Sequence, residues 1–364
     1  MIKNTPIVFA VENEYKIFIQ VKESSVMWVR IGEENYYDHS NGVLRSASNI
    51  HKITVPTEEL DKEKKYTVCY RKMIERKPYF SETSEVFEEE FVFYPLPENK
   101  FTIFQVADAH GMIDAPVNAS KYFENTYGKI DMLVLNGDVI DHSGDVKNFD
   151  AIYTIASLIT KGTIPVIFSR GNHDTRGIYA ESIADYTPTR NGASYFSFKL
   201  GNLWGLVLDC GEDKLDSHEE YGNTNCCHAF RKEETKYLEK IVKNAKCEYE
   251  KKDVKRKIIL SHMPFTQKYP YPFSIEEDTY AYWTKVLREE IKPDVLLCGH
   301  IHRLYITAPG GEKDDYGQTW PTVVASKPDK KVNYFAGGAL IFDNENITAV
   351  FCDGEKTLLE EKIN

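Results

Sequence analysis

Met132-Leu133-Val134-Leu135 is a short, fully apolar run that breaks at Asn136-Gly137 and delivers a carboxylate, Asp138, onto a glycine turn, followed by Val139-Ile140-Asp141. A run this short, bounded by turn residues, reads as a buried strand. In α/β sheets, ligands gather just past the carboxyl ends of such strands. The arrangement recurs along the chain. Phe101–Val106 leads to Asp108-Ala109-His110, and Pro165–Ser169 to Gly171-Asn172-His173-Asp174. Lys257–Leu260 leads to Ser261-His262, and Val295–Cys298 to Gly299-His300-Ile301-His302. Each motif alone is weak, because a glycine turn or a Ser-His pair is usually structural. Their shared placement carries the argument, since residues just past strand ends converge in one crevice. The two imidazoles His300 and His302, at i and i+2, fall on one side of an extended segment.

Between these motifs the chain alternates strands with helices, the pattern of an α/β domain. Helices are expected at Asn118–Tyr127, Val146–Thr160, Lys232–Lys246 and Tyr280–Ile291. Ser194–Leu200 and Leu203–Leu208 read as a hairpin across Gly201-Asn202, and the tail from Thr322 to Cys352 as further strands turning at 344–346. The first 97 residues differ. Short alternating segments such as Tyr15–Val21 and Val26–Ile31, with polar turns like Asp38–Gly42, suggest an all-β sandwich with Trp28 as its core aromatic. Leu60, Tyr66, Val68 and Tyr70 have the spacing of a fibronectin type III-like corner closed by a tyrosine hydroxyl. Phe91–Tyr94 reads as the last strand, and Pro95–Lys100 as a linker. The expected organisation is therefore a small all-β domain over 1–97 and an α/β domain over 98–364.

With 45 Lys and Arg against 56 Asp and Glu, the net charge is −11, so a basic nucleic-acid footprint is absent at whole-chain level. A small anionic substrate would need local positive charge, and oxygen and imidazole donors suit Mn, Fe, Zn or similar divalent ions. The N-terminal stretch has no continuous apolar core and no run is long enough to cross a membrane, which points to a cytoplasmic protein without a signal peptide. Seven scattered cysteines, including the vicinal pair Cys226-Cys227, fit reduced thiols.

The series DAH, GDVID, GNHD, SH and GHIH resembles the calcineurin-like metallophosphoesterase family over about residues 101–352. The resemblance implies an α/β fold, a β-sandwich of two mixed sheets flanked by helices, here preceded by the small all-β sandwich. It implies two metal ions. Asp108, His110, Asp138 and His302 would hold one, and Asp138, Asn172, His262 and His300 the other, with Asp138 bridging. It also implies hydrolysis of a small or medium phosphate ester by a metal-bridging hydroxide. His173, outside the ligand set, would protonate the leaving oxygen, and Asp141 would orient His173 as a carboxylate behind a histidine. Asp174 reads as a supporting residue.

Arg176 could reach a phosphate oxygen or form a salt bridge. Serine/threonine phosphatases of this family usually carry arginine directly after the second motif; His142 stands there, which counts against that branch and leaves His142 as a candidate substrate contact. An all-β domain ahead of this domain is also similar to purple acid phosphatases. Those enzymes have a tyrosine ligand where this chain has Asp141, and lack the histidine found here as His110. The aromatic-rich stretch Tyr269–Trp283 and the irregular insertion Asp209–Arg231 could wall or cover the pocket. The motifs do not separate monoester from diester hydrolysis, so a phosphodiesterase acting on cyclic nucleotides or similar diesters is the alternative. A non-catalytic scaffold or binding module is the alternative of another class; missing ligands would be its mark, and none of the seven is missing. The oligomeric state is not encoded in any of these features.

Overall fold

The computed structural model describes residues 1–38 and 42–363, so most of the predicted turn Asp38–Gly42 lies outside the described residues. The N-terminal part comprises β1 (Ile7–Val11), β2 (Glu14–Gln20), β3 (Ser25–Ile31), β4 (Glu34–Tyr37), β5 (Ile50–Pro56), α1 (Thr57–Glu63), β6 (Lys65–Arg76), β7 (Ser81–Thr83) and β8 (Phe87–Val92). It is an all-β sandwich. One sheet holds β1, β2 and β5; the other has the order β4-β3-β6-β7, with β8 also paired to β6. Alternation sets the packing: Met27, Val29 and Ile31 of β3 and Tyr66 and Val68 of β6 face inward onto Val8, Ile17 and Val55.

The remainder runs β9 (Lys100–Val106), α2 (Asp114–Tyr127), β10 (Met132–Asn136), α3 (Asp150–Thr160), β11 (Pro165–Ser169), β12 (Phe196–Leu200), β13 (Leu203–Leu208), α4 (Cys227–Lys243) and β14 (Arg256–Ser261). It continues with α5 (Glu277–Val286), β15 (Val295–Cys298), β16 (Leu304–Thr307), β17 (Thr322–Asp329), β18 (Tyr334–Asp343), β19 (Asn346–Cys352) and β20 (Thr357–Lys362). Two mixed sheets result. In one, β9, β10 and β11 are mutually parallel; in the other, β13, β14 and β15 are. They meet at β17, which pairs with β15 on one side and β18 on the other. Residues such as Ile103, Val134, Ile258 and Leu297 fill the space between the sheets. Helices α2 and α3 cover the outer face of the first sheet through Phe123, Ile152 and Ile155, and α4 and α5 that of the second through Leu238 and Trp283. The apolar strand runs are continuous because both faces are buried.

Three expectations for the N-terminal part change. Trp28 is not in the core. It alternates outward on β3 and lies against Tyr37, with ring centroids 6.3 Å apart. The Tyr66 hydroxyl does not close a corner of its own sandwich; it donates to the carbonyl of Gly162, in the turn after α3, at 2.9 Å. The stretch read as a linker is tied down at its first half, with Leu96 buried in the central core, while 98–100 are exposed and Lys100 opens β9. The composition shift near Pro97 therefore does not end the sheet. β1 pairs in parallel with β11, Val8 opposite Pro165 and Phe9 opposite Val166, so β1, β2 and β5 extend the sheet of β9, β10 and β11.

His51 on β5 is 1% exposed, and its Nε2 lies 3.3 Å from Ser25 Oγ. Burial pushes its pKa down to about 4, with Asp38 opposing the shift and Arg45 adding to it. The folded state therefore prefers neutral His51. Its contribution is complete above the unfolded value of about 6.5 and is lost as pH falls from there towards 4. Between pH 7.5 and 5, His51→Gln is expected to lose about 2 kcal/mol less unfolding free energy than the wild type. Denaturant titrations at the two pH values read this directly, and equal losses in both proteins would contradict it.

Candidate metal centre

The five motifs lie past the ends of β9, β10 and β11 in one sheet and of β14 and β15 in the other, so both sheets feed one crevice. The backbone is bent sharply there. Asp108, His110, Asp138, His300 and His302 all have left-handed φ values, between 45° and 68°. Non-glycine residues rarely adopt this conformation, and each costs of the order of 1 kcal/mol. The turns re-aim these side chains from the strand direction into the crevice. Glycine is required beside them. A Cβ on Gly137 would lie 2.5 Å from His262 Nδ1, and one on Gly171 would strike the carboxylate of Asp138.

The side chains converge. His110 Nε2 and His302 Nε2 are 3.1 Å apart, and His302 Nε2 is 3.3 Å from Asp108 Oδ1. His262 Nε2 is 3.2 Å from Asp138 Oδ2 and 3.7 Å from Asp108 Oδ1. Two groups follow, Asp108, His110 and His302, and Asp138, His262 and His300, and a third, of His110, Asp138 and His173, links them. Asn172 joins the second, its amide lying 3.1 Å from His300 Nδ1 and 3.2 Å from Asp138 Oδ2. Turned one way the amide N–H₂ donates to both; turned the other, its oxygen faces them, the orientation in which it would serve as a metal ligand.

Two further observations test whether cations fit. Asp108 Oδ1 is fully buried without a hydrogen-bond partner, although it faces three imidazoles. Burial opposes ionisation of Asp108 and Asp138, yet His262 above all outweighs it and holds both carboxyls below their usual range. Reciprocally, Asp138 and Asp108 overcome burial and raise His262 to about 10. Burial instead pushes His110 and His300 down to about 4, where they are neutral donors at pH 7. Two buried carboxylates that draw a proton onto His262, beside neutral His110 and His300, form a site in which divalent ions would take the place of that proton.

Supporting contacts fix each donor. His262 Nδ1–H donates to the Asn136 carbonyl at 2.7 Å, which leaves Nε2 for the crevice. Asp108 Oδ2 accepts from the His300 amide at 2.8 Å and from the Ser326 hydroxyl. Asp174 holds the turn through the Gly171 amide at 2.7 Å, and burial, then Asp138, raises its pKa to about 7.

The structure corrects the reading of Asp141. His173 Nδ1–H donates to the backbone carbonyl of Asp141 at 2.9 Å, not to its carboxylate. That carboxylate pairs with Lys330 at 2.8 Å and lies 3.7 Å from His110 Nδ1, so it stands behind His110. His173 Nε2 faces the crevice, 4.0 Å from Asp138 Oδ2. His142 is exposed and does not line the cavity; its Nδ1 accepts from the Gly144 amide at 2.9 Å, closing its own turn. Arg176 lines the cavity but is committed to Glu212 by two 2.8 Å bonds, with Nη1 3.4 Å from His173 Nε2.

Other contributors were not singled out from sequence. Gln105 and Asn136, both fully buried, form a polar bridge beneath the crevice. Asn136 Nδ2 donates to Gln105 Oε1 at 2.8 Å and to the Leu297 carbonyl at 3.0 Å, and Gln105 Nε2 donates to the Cys298 carbonyl at 2.8 Å. They bind the two sheets at the level of the motifs. Their signal was present as lone amides near the ends of apolar strands. Asp213, from the insertion, lies 3.9 Å from His300 Nε2. Its position depends on Tyr221 and Arg176, contacts without a sequence spacing.

The crevice opens into a cavity of about 900 Å³. The insertion supplies Asp213 and Lys214, and the aromatic stretch Tyr269 and Phe273. Tyr280 and Trp283 instead pack against Phe265 in the core. Among the described residues, no helix is long and apolar enough to cross a membrane.

Comparison with known proteins agrees with this geometry. A purple acid phosphatase, PPD1, isolated from yellow lupin (Lupinus luteus) seeds is structurally similar, with TM-score 0.59 and 14% identity, covering all of this chain and 75% of that one. Vps29 of Chaetomium thermophilum aligns with TM-score 0.31 and 13% identity over 72% of this chain and 97% of its own. No curated protein sequence matches. The family profile for calcineurin-like phosphoesterase matches residues 101–304, the segment that carries all seven predicted metal ligands, and the chain belongs to that family.

Proposed function

We propose that this metal-dependent phosphoester hydrolase uses a dinuclear centre, with Asp108, His110, Asp138 and His302 holding one ion and Asp138, Asn172, His262 and His300 the other. The observation that carries this reading is the convergence of five nitrogen and oxygen donors, those of His110, Asn172, His262, His300 and His302, on two buried carboxylates. Mn, Fe or Zn bound there would neutralise phosphate charge and activate water. The chain's own residues do the rest. Asp138 joins the two groups. Asn136 and Asp141 hold the rings of His262 and His173 in register. As a water oxygen bonds to phosphorus and the ester P–O bond breaks, the leaving oxygen takes a proton from His173 Nε2.

A small or medium phosphate monoester is the favoured substrate. A ring-bearing diester is the second reading, favoured by Tyr269, Phe273 and Tyr305 on the cavity wall. The test is a paired assay of the Mn-loaded enzyme on p-nitrophenyl phosphate and bis(p-nitrophenyl) phosphate. Faster monoester turnover, abolished by a chelator and restored by Mn²⁺, is expected. Preference for the diester would move the second reading ahead. Two bound metals with neither ester hydrolysed would overturn the monoester reading and favour the scaffold.

A further inference from the structure

The cavity extends from the metal centre to a second cluster of charge, and the cations on its wall fall into two classes. Arg176 is neutralised by Glu212 at 2.8 Å, Lys214 by Glu220 at 2.7 Å and Lys268 by Glu277 at 2.8 Å. Arg303 and Lys313 also line the cavity, and among the described residues neither forms an ion pair. Arg303 directly follows His302, so its backbone is anchored at the metal centre.

Lys313 arrives from the loop between β16 and β17, and that loop is fixed. Its acids serve the backbone rather than the cations. Asp314 accepts from the amides of Gly310, Gly317 and Gln318, each at 2.8 Å. Asp315 accepts from the Lys268 amide at 2.6 Å, and its own amide donates to the Thr266 carbonyl at 3.2 Å. The two cations share Tyr305. Lys313 Nζ sits 5.2 Å from its ring centroid, and the positive charge of Arg303 acts on its phenol. The ring is in turn held by Gln267, which accepts from the Tyr305 hydroxyl at 3.0 Å. One acid on this wall, Glu312, remains exposed and uncommitted.

We propose that Arg303, Lys313 and Tyr305 form a second anion subsite, so that the preferred substrate is a phosphate ester carrying a further phosphate beyond the scissile one. This rests on the phosphoesterase reading of the metal centre. The scissile phosphate occupies the crevice, and the distal phosphate replaces the missing counter-ions of Arg303 and Lys313. An unpaired cation pair on a fixed wall suits an anion that arrives with the substrate. A residue already paired, such as Arg176, would have to break its own salt bridge first.

The test compares the Mn-loaded wild type with the Arg303→Ala/Lys313→Ala double variant on ADP and AMP, and on fructose 1,6-bisphosphate and fructose 6-phosphate, with p-nitrophenyl phosphate as reference. In the wild type, the member of at least one pair that carries two phosphates should show the higher kcat/KM. In the variant that advantage should fall roughly tenfold, mainly through KM, with p-nitrophenyl phosphate changed less than about twofold. Loss confined to ADP assigns a nucleotide, and loss confined to the sugar bisphosphate assigns a sugar phosphate. An unchanged preference, or an equal loss on every substrate, overturns the subsite. Glu312→Gln controls for local charge and should preserve or increase the preference; a fall would count against the subsite. Calorimetric binding of pyrophosphate and orthophosphate gives a readout apart from turnover. If the two-metal wild type binds neither, the reading of the metal centre fails. If it binds both and the variant leaves their affinity ratio unchanged, only the subsite fails.

Discussion

Asp138→Asn is expected to lose two-metal occupancy and at least about a thousandfold in kcat/KM. Asp138 is the residue that the proposed ligand set places in both donor groups. Its Oδ2 lies 3.2 Å from His262 Nε2, and the Asn172 amide is 3.2 Å away. Asparagine keeps the size but removes one of two carboxylate charges and puts an N–H₂ where a donor pair must face cations. The fold should survive, because Asp138 Oδ1 accepts the His173 amide at 2.8 Å and an asparagine oxygen can take that bond. Elemental analysis after dialysis against Mn²⁺, beside a thermal unfolding curve, decides the matter. Full occupancy by two ions in a folded variant would remove Asp138 from the bridging position.

His173→Ala has the opposite signature. The side chain lies outside the proposed ligand set, although it falls in one group with His110 and Asp138, and Asp138 is held by the backbone amide of residue 173, which alanine retains. Metal content should stay at the wild-type level while turnover falls roughly 10²- to 10⁴-fold on an alkyl phosphate. A leaving group that departs without protonation should escape most of that loss, so p-nitrophenyl phosphate should be much less affected. Equal losses on both esters would show that His173 acts on charge or position rather than as an acid. Asp141→Ala sharpens the interpretation, because the carbonyl that orients His173 belongs to the backbone.

The convergence of the candidate metal ligands was legible because its signal is local. Each motif is a strand followed within a few residues by its donors, and both the apolar run and the donors are contiguous in sequence. The layered α/β architecture was legible for the same reason. What could not be read depends on where side chains point. Asp141 was assigned to His173 by analogy with carboxylate–histidine pairs, yet a backbone carbonyl, which every residue carries, does that work. His142 has the right neighbours in sequence but turns back on Gly144. Trp28 was placed inside by size, whereas strand parity puts Met27 and Val29 there. The contributions of Gln105 and Asp213 depend on partners far along the chain, and no spacing rule reaches them.

The pairing of β1 with β11 also bears on how this protein is made. As it leaves the ribosome, β1 has one neighbour close behind it, β2, but its other edge is completed only when Pro165 and Val166 have been synthesised. Long-range parallel pairing is slow because loop closure precedes any return in contacts. The amino-terminal sandwich therefore cannot finish as an independent unit ahead of the rest, as beads on a string do. Its open edge waits through the translation of Asp108, His110 and Asp138, so that the two ends of assembly, scaffold and catalytic crevice, close together.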